Sequence, residues 1–137
     1  MNQICDHIWI GNSGDARNVH ALNAIGINAI LNCAFDLRSH LGWPDFIAAQ
    51  CGLIDGPGNG LDAYRAAMHQ LSNLAEARTV LVHCHEGRSR SAFVVLCYLR
   101  TLGIVDSFDS GHTYLRERRP DVSIHPAHAE AYRTLFP

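Results

Sequence analysis

The chain has 137 residues, 47% hydrophobic and 18% charged, with a formal charge of -2 and an isoelectric point near 6.5. That length suits one domain with a substantial core, and the composition excludes a disordered chain. The small net charge gives no reason to expect nucleic acid or an anionic membrane as partner.

In chain order, "HIWI" reads as a short strand closed by Gly11. Ser13 is placed to cap a helix over residues 14–25, with Gly26 where helices stop. "NAILNC" then reads as a buried strand, and Pro44 as the opening of a short helix, "PDFIAAQ". "LIDGPGNG" joins a brief apolar strand to a loop that glycine and proline keep irregular. Leu61, Tyr64, Met68, Leu71 and Leu74 recur at intervals of three and four, an amphipathic helix reaching about Ala77.

"TVLVH" is β-branched and apolar, as a central parallel strand should be. Residues 90–102 are apolar nearly all round, so that helix should be buried. Two more helices are expected, over residues 107–118 and 126–135. Alternating strands and helices predict an α/β fold of one domain, residues 1–137. Its central sheet should be mostly parallel, of about four or five strands flanked by helices.

Five cysteines, Cys5, Cys33, Cys51, Cys84 and Cys97, show no CxxC or zinc spacing. Free thiols in a reducing compartment are the simpler reading. "MNQICDHIWIGNSGD" lacks the basic start and apolar stretch of a secretory leader. The run at residues 92–99 is too short to cross a bilayer. A cytoplasmic protein is expected.

The densest chemistry lies in "VHCHEGRSRSAFVV". Its polar residues stand between a strand and a helix, where ligands bind in α/β folds. Amides turning into a helix N-terminus form a nest of donors, and the helix dipole adds positive potential. Cys84 in such a place should be ionised and nucleophilic at neutral pH. Gly87 allows a bend that a side chain would obstruct. Arg90 opposes the dipole at the helix start and so calls for an anion, which its planar fork can grip at two oxygens.

"HCHEGRSRS" resembles the HCxxxxxR[S/T] signature of cysteine-dependent protein phosphatases, and its "SRS" ending resembles the small atypical members of the dual-specificity branch. "IWIGNSGDARNVHALNAIGINAILNCA" and "YLRERRPDVSIHP" resemble the opening and the late helix of that branch. The resemblance implies Cys84 as nucleophile, Arg90 as phosphate clamp, and His85, Glu86, Gly87, Arg88, Ser89 and Arg90 as the loop whose amides hold the phosphate. It also implies that Ser91 assists the sulfur as leaving group and that His83 helps hold the loop. The reaction implied is two in-line displacements through a phosphocysteine, with no cofactor and no metal. A phosphorylated protein is the implied substrate, either phosphotyrosine alone or with phosphoserine and phosphothreonine.

The family's general acid, an aspartate some thirty residues before the cysteine, corresponds to Asp55. Asp62 is the rival, but a first-turn acid has a structural explanation. Glu86 stands where alanine is more usual and is expected to point outward, since an inward carboxylate would repel phosphate. Ala127 replaces a more usual asparagine, and Arg119 lies where some relatives carry a basic residue near the pocket. The resemblance also makes Cys33 a possible redox partner of Cys84. The competing readings are a phosphatase of phosphoinositides, RNA ends or small metabolites, and a catalytically weak phosphoprotein reader. The sequence does not set the oligomeric state.

Overall fold

The structure, a computed structural model, describes residues 1–38 and 46–137. Five strands form one sheet in the order β1-β2-β5-β3-β4. They are β1 (Asn2–Cys5), β2 (Ile8–Gly11), β3 (Ala29–Ala34), β4 (Ile47–Leu53) and β5 (Val80–His83). All neighbouring pairs are parallel except the β1–β2 pair at one edge. Five helices flank them: α1 (Val19–Ile25), α2 (Leu61–Ala75), α3 (Arg90–Thr101), α4 (Phe108–Arg118) and α5 (Pro126–Leu135). The α/β architecture expected from the alternating pattern is the one observed.

The strands separate two cores by simple alternation. Val80 and Val82 of β5, with Ala29, Leu31 and Cys33 of β3, pack into a large core with residues of α2, α3, α4 and α5. Leu81 and Ile30 point the other way, onto Leu22 of α1. Helix α3 crosses the centre of the larger core. Phe93, Val95, Leu96 and Leu99 are wholly buried there, which is why its sequence shows no polar face. Cutting Phe93 to alanine in such packing costs about 3–5 kcal/mol.

Two expectations are corrected and one strand is new. The helix read from Pro44 is not formed: Pro44 lies outside the described residues, and 47–53 are β4. Pairing with β3, which places Ile47 opposite Ala29, overrides the helical preference of two alanines. Ser13 caps no helix. Asn12 and Asp15 instead exchange side-chain bonds around a 3₁₀ turn at Asp15–Arg17, and Asn18 accepts from Ala21 N to start α1. Strand β1 was not foreseen, because "NQIC" has little apolar pattern of its own and exists by pairing with β2. Gly26 does end α1, in the left-handed conformation at φ 93°. Among the described residues, no helix is long and apolar enough to cross a membrane.

Candidate active site

Strand β5 lies between β2 and β3, and the loop leaving its carboxyl end, residues 84–89, enters α3. Each carbonyl of this loop is claimed from outside the pocket. His83 Nδ1 lies 3.1 Å from Cys84 O, and Ser13 N donates to His85 O at 2.9 Å. Arg119 donates from Nη2 to Glu86 O (3.1 Å) and from Nε to Gly87 O (2.8 Å). Ser123 N donates to Arg88 O and Phe93 N to Ser89 O. A peptide is planar, so carbonyls turned outward aim their amides the other way. The result is a concave nest of N–H groups, extended by the first turn of α3, whose donors have no intrahelical acceptor.

Ser89 precedes α3 but gives no side-chain cap; its hydroxyl donates to Asp55 Oδ1 at 2.6 Å. Gly87 is held at φ 70°, and a Cβ there would stand 2.4 Å from Gly11 O, so only glycine fits. Asn2 takes the third arm of Arg119, Nη1, at 2.7 Å. Arg119 is therefore buried against the loop's outer side and braces it. The expectation of a basic residue near the pocket holds for position, but this guanidinium is committed to loop carbonyls.

A cavity of about 260 Å³ is lined by Asp55, Cys84, His85, Glu86, Arg88, Ser89 and Arg90. Cys84 Sγ lies 3.2 Å from Ser91 Oγ, in hydrogen-bond contact. Arg90 reaches back across the loop. Its Nη1 donates to Leu53 O (3.1 Å) and Asp36 Oδ1 (3.0 Å), while its buried Nε has no partner among the described residues. The anion that Arg90 calls for is thus partly supplied by Asp36, which sequence reading missed. Asp36 also meets His85 Nε2 at 3.0 Å, and the Arg90 guanidinium holds its carboxyl below the usual range. The signal for it was slight: an acid just past the end of a buried strand.

Asp55 and Asp62 part company. Asp62 is fully exposed and paired with Arg65 within the first turn of α2. Asp55 faces the pocket. Burial pulls its carboxyl upward, but hydrogen bonds from Ser89 and His128 outweigh that and set it below the ordinary value. Glu86 contributes to the cavity lining, but its carboxylate is exposed and lies 3.4 Å from Arg88. Ala127 makes no side-chain bond, and its neighbours occupy that region instead. His125 N donates to Ser89 Oγ at 2.9 Å, and His128 reaches Asp55 at 3.1 Å. Cys33 is wholly buried and shares a hydrogen bond with Cys51; burial pushes its thiol well up. Cys97, deep in α3, is pushed up by burial too, as a thiol that only fills space.

A nucleophile-type sulfur, an arginine fork, a nest of amides and a carboxyl group therefore surround one cavity, with room for a phosphate group and part of what carries it. Comparison with known proteins agrees. The family model for the dual specificity phosphatase catalytic domain matches residues 8–131. Human dual specificity protein phosphatase 14 is 31% identical over 122 residues, covering 86% of this chain and 60% of that protein. The chain thus spans about three fifths of the length of such curated relatives. Human DUSP28 shares the fold at a TM-score of 0.86 and 18% identity, over 98% of this chain and 94% of that one. The human tyrosine phosphatase-like serine/threonine/tyrosine-interacting protein does so at 0.83 and 20% identity, over 99% and 97%. From the signature loop, the sheet that presents it and these likenesses together, the chain belongs to the dual specificity phosphatase catalytic-domain family.

Proposed function

We propose that this protein is a phosphoprotein phosphatase that hydrolyses phosphotyrosine, with phosphoserine and phosphothreonine, through a phosphocysteine. The observation that carries the proposal is the convergence of Cys84, Arg90 and Asp55 on the one cavity floored by the amide nest. Cys84 Sγ attacks phosphorus as the ester oxygen departs, and Asp55 gives that oxygen a proton. Water then attacks phosphorus, its proton passes to Asp55, and the sulfur leaves with help from Ser91 Oγ. Arg90 and the amides of residues 85–90 hold the equatorial oxygens throughout. The transition state is loose, so positioning and charge stabilisation carry the catalysis.

Phe35 and Ile54 immediately precede Asp36 and Asp55, and both are exposed large hydrophobics, 67% and 45%. Exposed apolar side chains next in sequence to two acids of the site favour an ester carried on a peptide over a small polar metabolite. Cys33, buried within electrostatic reach of Cys84, is proposed as the thiol that captures a Cys84 sulfenic acid as a disulfide. Mass spectrometry without reductant after mild peroxide checks this, and sulfinic acid on Cys84 with no disulfide would exclude it.

The test of function compares wild type with Cys84→Ser and Asp55→Asn, on 4-nitrophenyl phosphate in EDTA and on phosphopeptides. The serine variant should lose turnover and keep phosphopeptide binding. The asparagine variant should fall about a hundredfold or more on phosphoserine peptide and far less on the nitrophenyl ester. Tight binding by wild type without turnover would replace the proposal with a reader of phosphoproteins.

A further inference from the structure

Behind Asp55 stands His128, a wholly buried residue of α5 that the reaction above leaves unused. Its Nε2 lies 3.1 Å from Asp55 Oδ1 and its Nδ1 lies 2.6 Å from the Tyr64 hydroxyl. The ring stacks on Phe93 with centroids 5.4 Å apart, and Tyr64 meets it nearly edge-on at 5.7 Å. An imidazole engaged at both nitrogens and packed on its face has one orientation.

The hydrogen-bond inventory settles the direction of donation. Asn59 Nδ2 donates to the Tyr64 oxygen at 3.2 Å. An ionised Asp55 carboxylate can only accept, so the ring proton of His128 sits on Nε2, and Nδ1 of the neutral ring accepts the Tyr64 hydroxyl. The ring is neutral: burial lowers His128 first of all, the bond to Asp55 opposes this, and His125 and Arg90 lower it further. Among the described residues, these groups, with Tyr64 from α2, are the titratable and charged ones around it. Cys97, which lies behind Tyr64, has its thiol pushed up by burial.

Two donors therefore converge on a single oxygen. Ser89 Oγ–H donates to Asp55 Oδ1 at 2.6 Å while its own oxygen accepts His125 N, and His128 Nε2 meets the same Oδ1. Neither bond uses Oδ2.

Resting on the reading of Asp55 as the general acid, we propose that His128 is the positioning residue of the acid step: its Nε2–H, with the Ser89 hydroxyl, anchors Asp55 Oδ1 and leaves Oδ2 as the atom that gives and takes the proton. A carboxyl group held this way releases its proton at lower pH than an unsupported one. The falling limb of the rate profile then comes early. The aim of Oδ2 matters most where the leaving oxygen needs its proton, so esters of aliphatic alcohols depend on the His128 anchor more than esters of phenols.

The full chain tests this as wild type, His128→Phe, His128→Gln, Tyr64→Phe and Asp55→Asn. The readouts are the pH profile of kcat/KM and the ratio of rates on 4-nitrophenyl phosphate and a phosphoserine peptide. His128→Phe keeps the stack on Phe93 but loses the donor. Its falling limb should move to higher pH, and its kcat on the peptide should drop about tenfold while the nitrophenyl ester stays within about twofold. His128→Gln, which restores an N–H near the Nε2 position, should return both towards wild type. A merely structural role would lower the yield of folded enzyme and leave limb and ratio in place. A His128→Phe enzyme with both unchanged overturns the proposal. If that variant does not fold, Tyr64→Phe carries the test with a smaller displacement in the same direction, and no displacement overturns it. Asp55→Asn separates the two readings. If it keeps limb and ratio, the acid assignment has failed; if it loses them while His128→Phe does not, only His128 is excluded.

Discussion

The two walls of the pocket are built by different means. The loop at residues 84–89 is a backbone object, its carbonyls satisfied outside and its amides left inside. The opposite wall hangs on side chains. Asn59 accepts from Ile54 N at 2.9 Å and donates to Ile54 O at 2.7 Å, while Ser89 and His128 tether Asp55 itself. A rigid nest suits an anion whose shape is the same in every substrate. A carboxyl group on side-chain tethers suits a proton donor whose strength has to be tuned. Damage to the first wall should depress every substrate alike, whereas damage to the second should depress substrates in order of leaving-group difficulty.

The largest effect is expected at Gly87. Alanine there places Cβ against Gly11 O and the Arg119 guanidinium, so the loop must shift. Activity on aryl and alkyl esters should fall together, by about a hundredfold or more, as expected for misplacement near 1 Å. A selective loss on alkyl esters would break the comparison.

Next comes Arg119→Met, which strips the donors from Glu86 O and Gly87 O. Chemical denaturation should show a loss of about 2–4 kcal/mol, from one buried and one part-buried carbonyl left unpaired. Rates on both ester classes should fall in parallel. Asn59→Ala sharpens the contrast from the other side. It should cost under about 1 kcal/mol in stability yet slow a phosphoserine peptide about tenfold, sparing 4-nitrophenyl phosphate.

The smallest effect is on stability against pH. His128 and His112 are both held below the ordinary histidine value, chiefly by burial. The unfolded chain takes up protons there that the fold refuses, starting near pH 6.5. Their contribution is complete above about pH 6.5 and declines as pH falls towards the folded values. Asp36 and Asp55, set below the ordinary carboxylate value, add a further loss below about pH 4. Thermal melts from about pH 7.5 down to about pH 2.5 should trace both stages, and His128→Phe should flatten the upper one.

The same division explains what could be read from the sequence. The strand, loop and helix around Cys84 are contiguous, and their signals are local: a β-branched run, a glycine at a bend, an apolar helix. Strand β5 and helix α3 lie where those signals put them. Asp55 was legible only through resemblance. The tethers were not legible at all, because they join residues far apart in the chain. His128 lies 73 positions from Asp55, and Ser89 lies 34 from it. Asp36 is 54 positions from the arginine it holds. The missed strands add a second reason: β4 exists through pairing with β3 and β1 through a local antiparallel pairing with the next strand, neither through a pattern of its own. "HPAH" did hold a clue, a histidine at a helix position that turns inward, but its partner cannot be named from spacing.

Arg90 is frozen before any substrate arrives, its Nη1 pinned by Leu53 O and Asp36. An arginine loses on the order of 2 kcal/mol of rotamer freedom when it is fixed. Here that loss falls on folding, so a phosphate meets a guanidinium that has already stopped moving. Affinity for small oxyanions such as vanadate or tungstate should therefore change little with temperature-driven side-chain disorder. The strand that supplies Leu53 O also leads into Asp55, so the grip on the anion and the aim of the acid share one mechanical support.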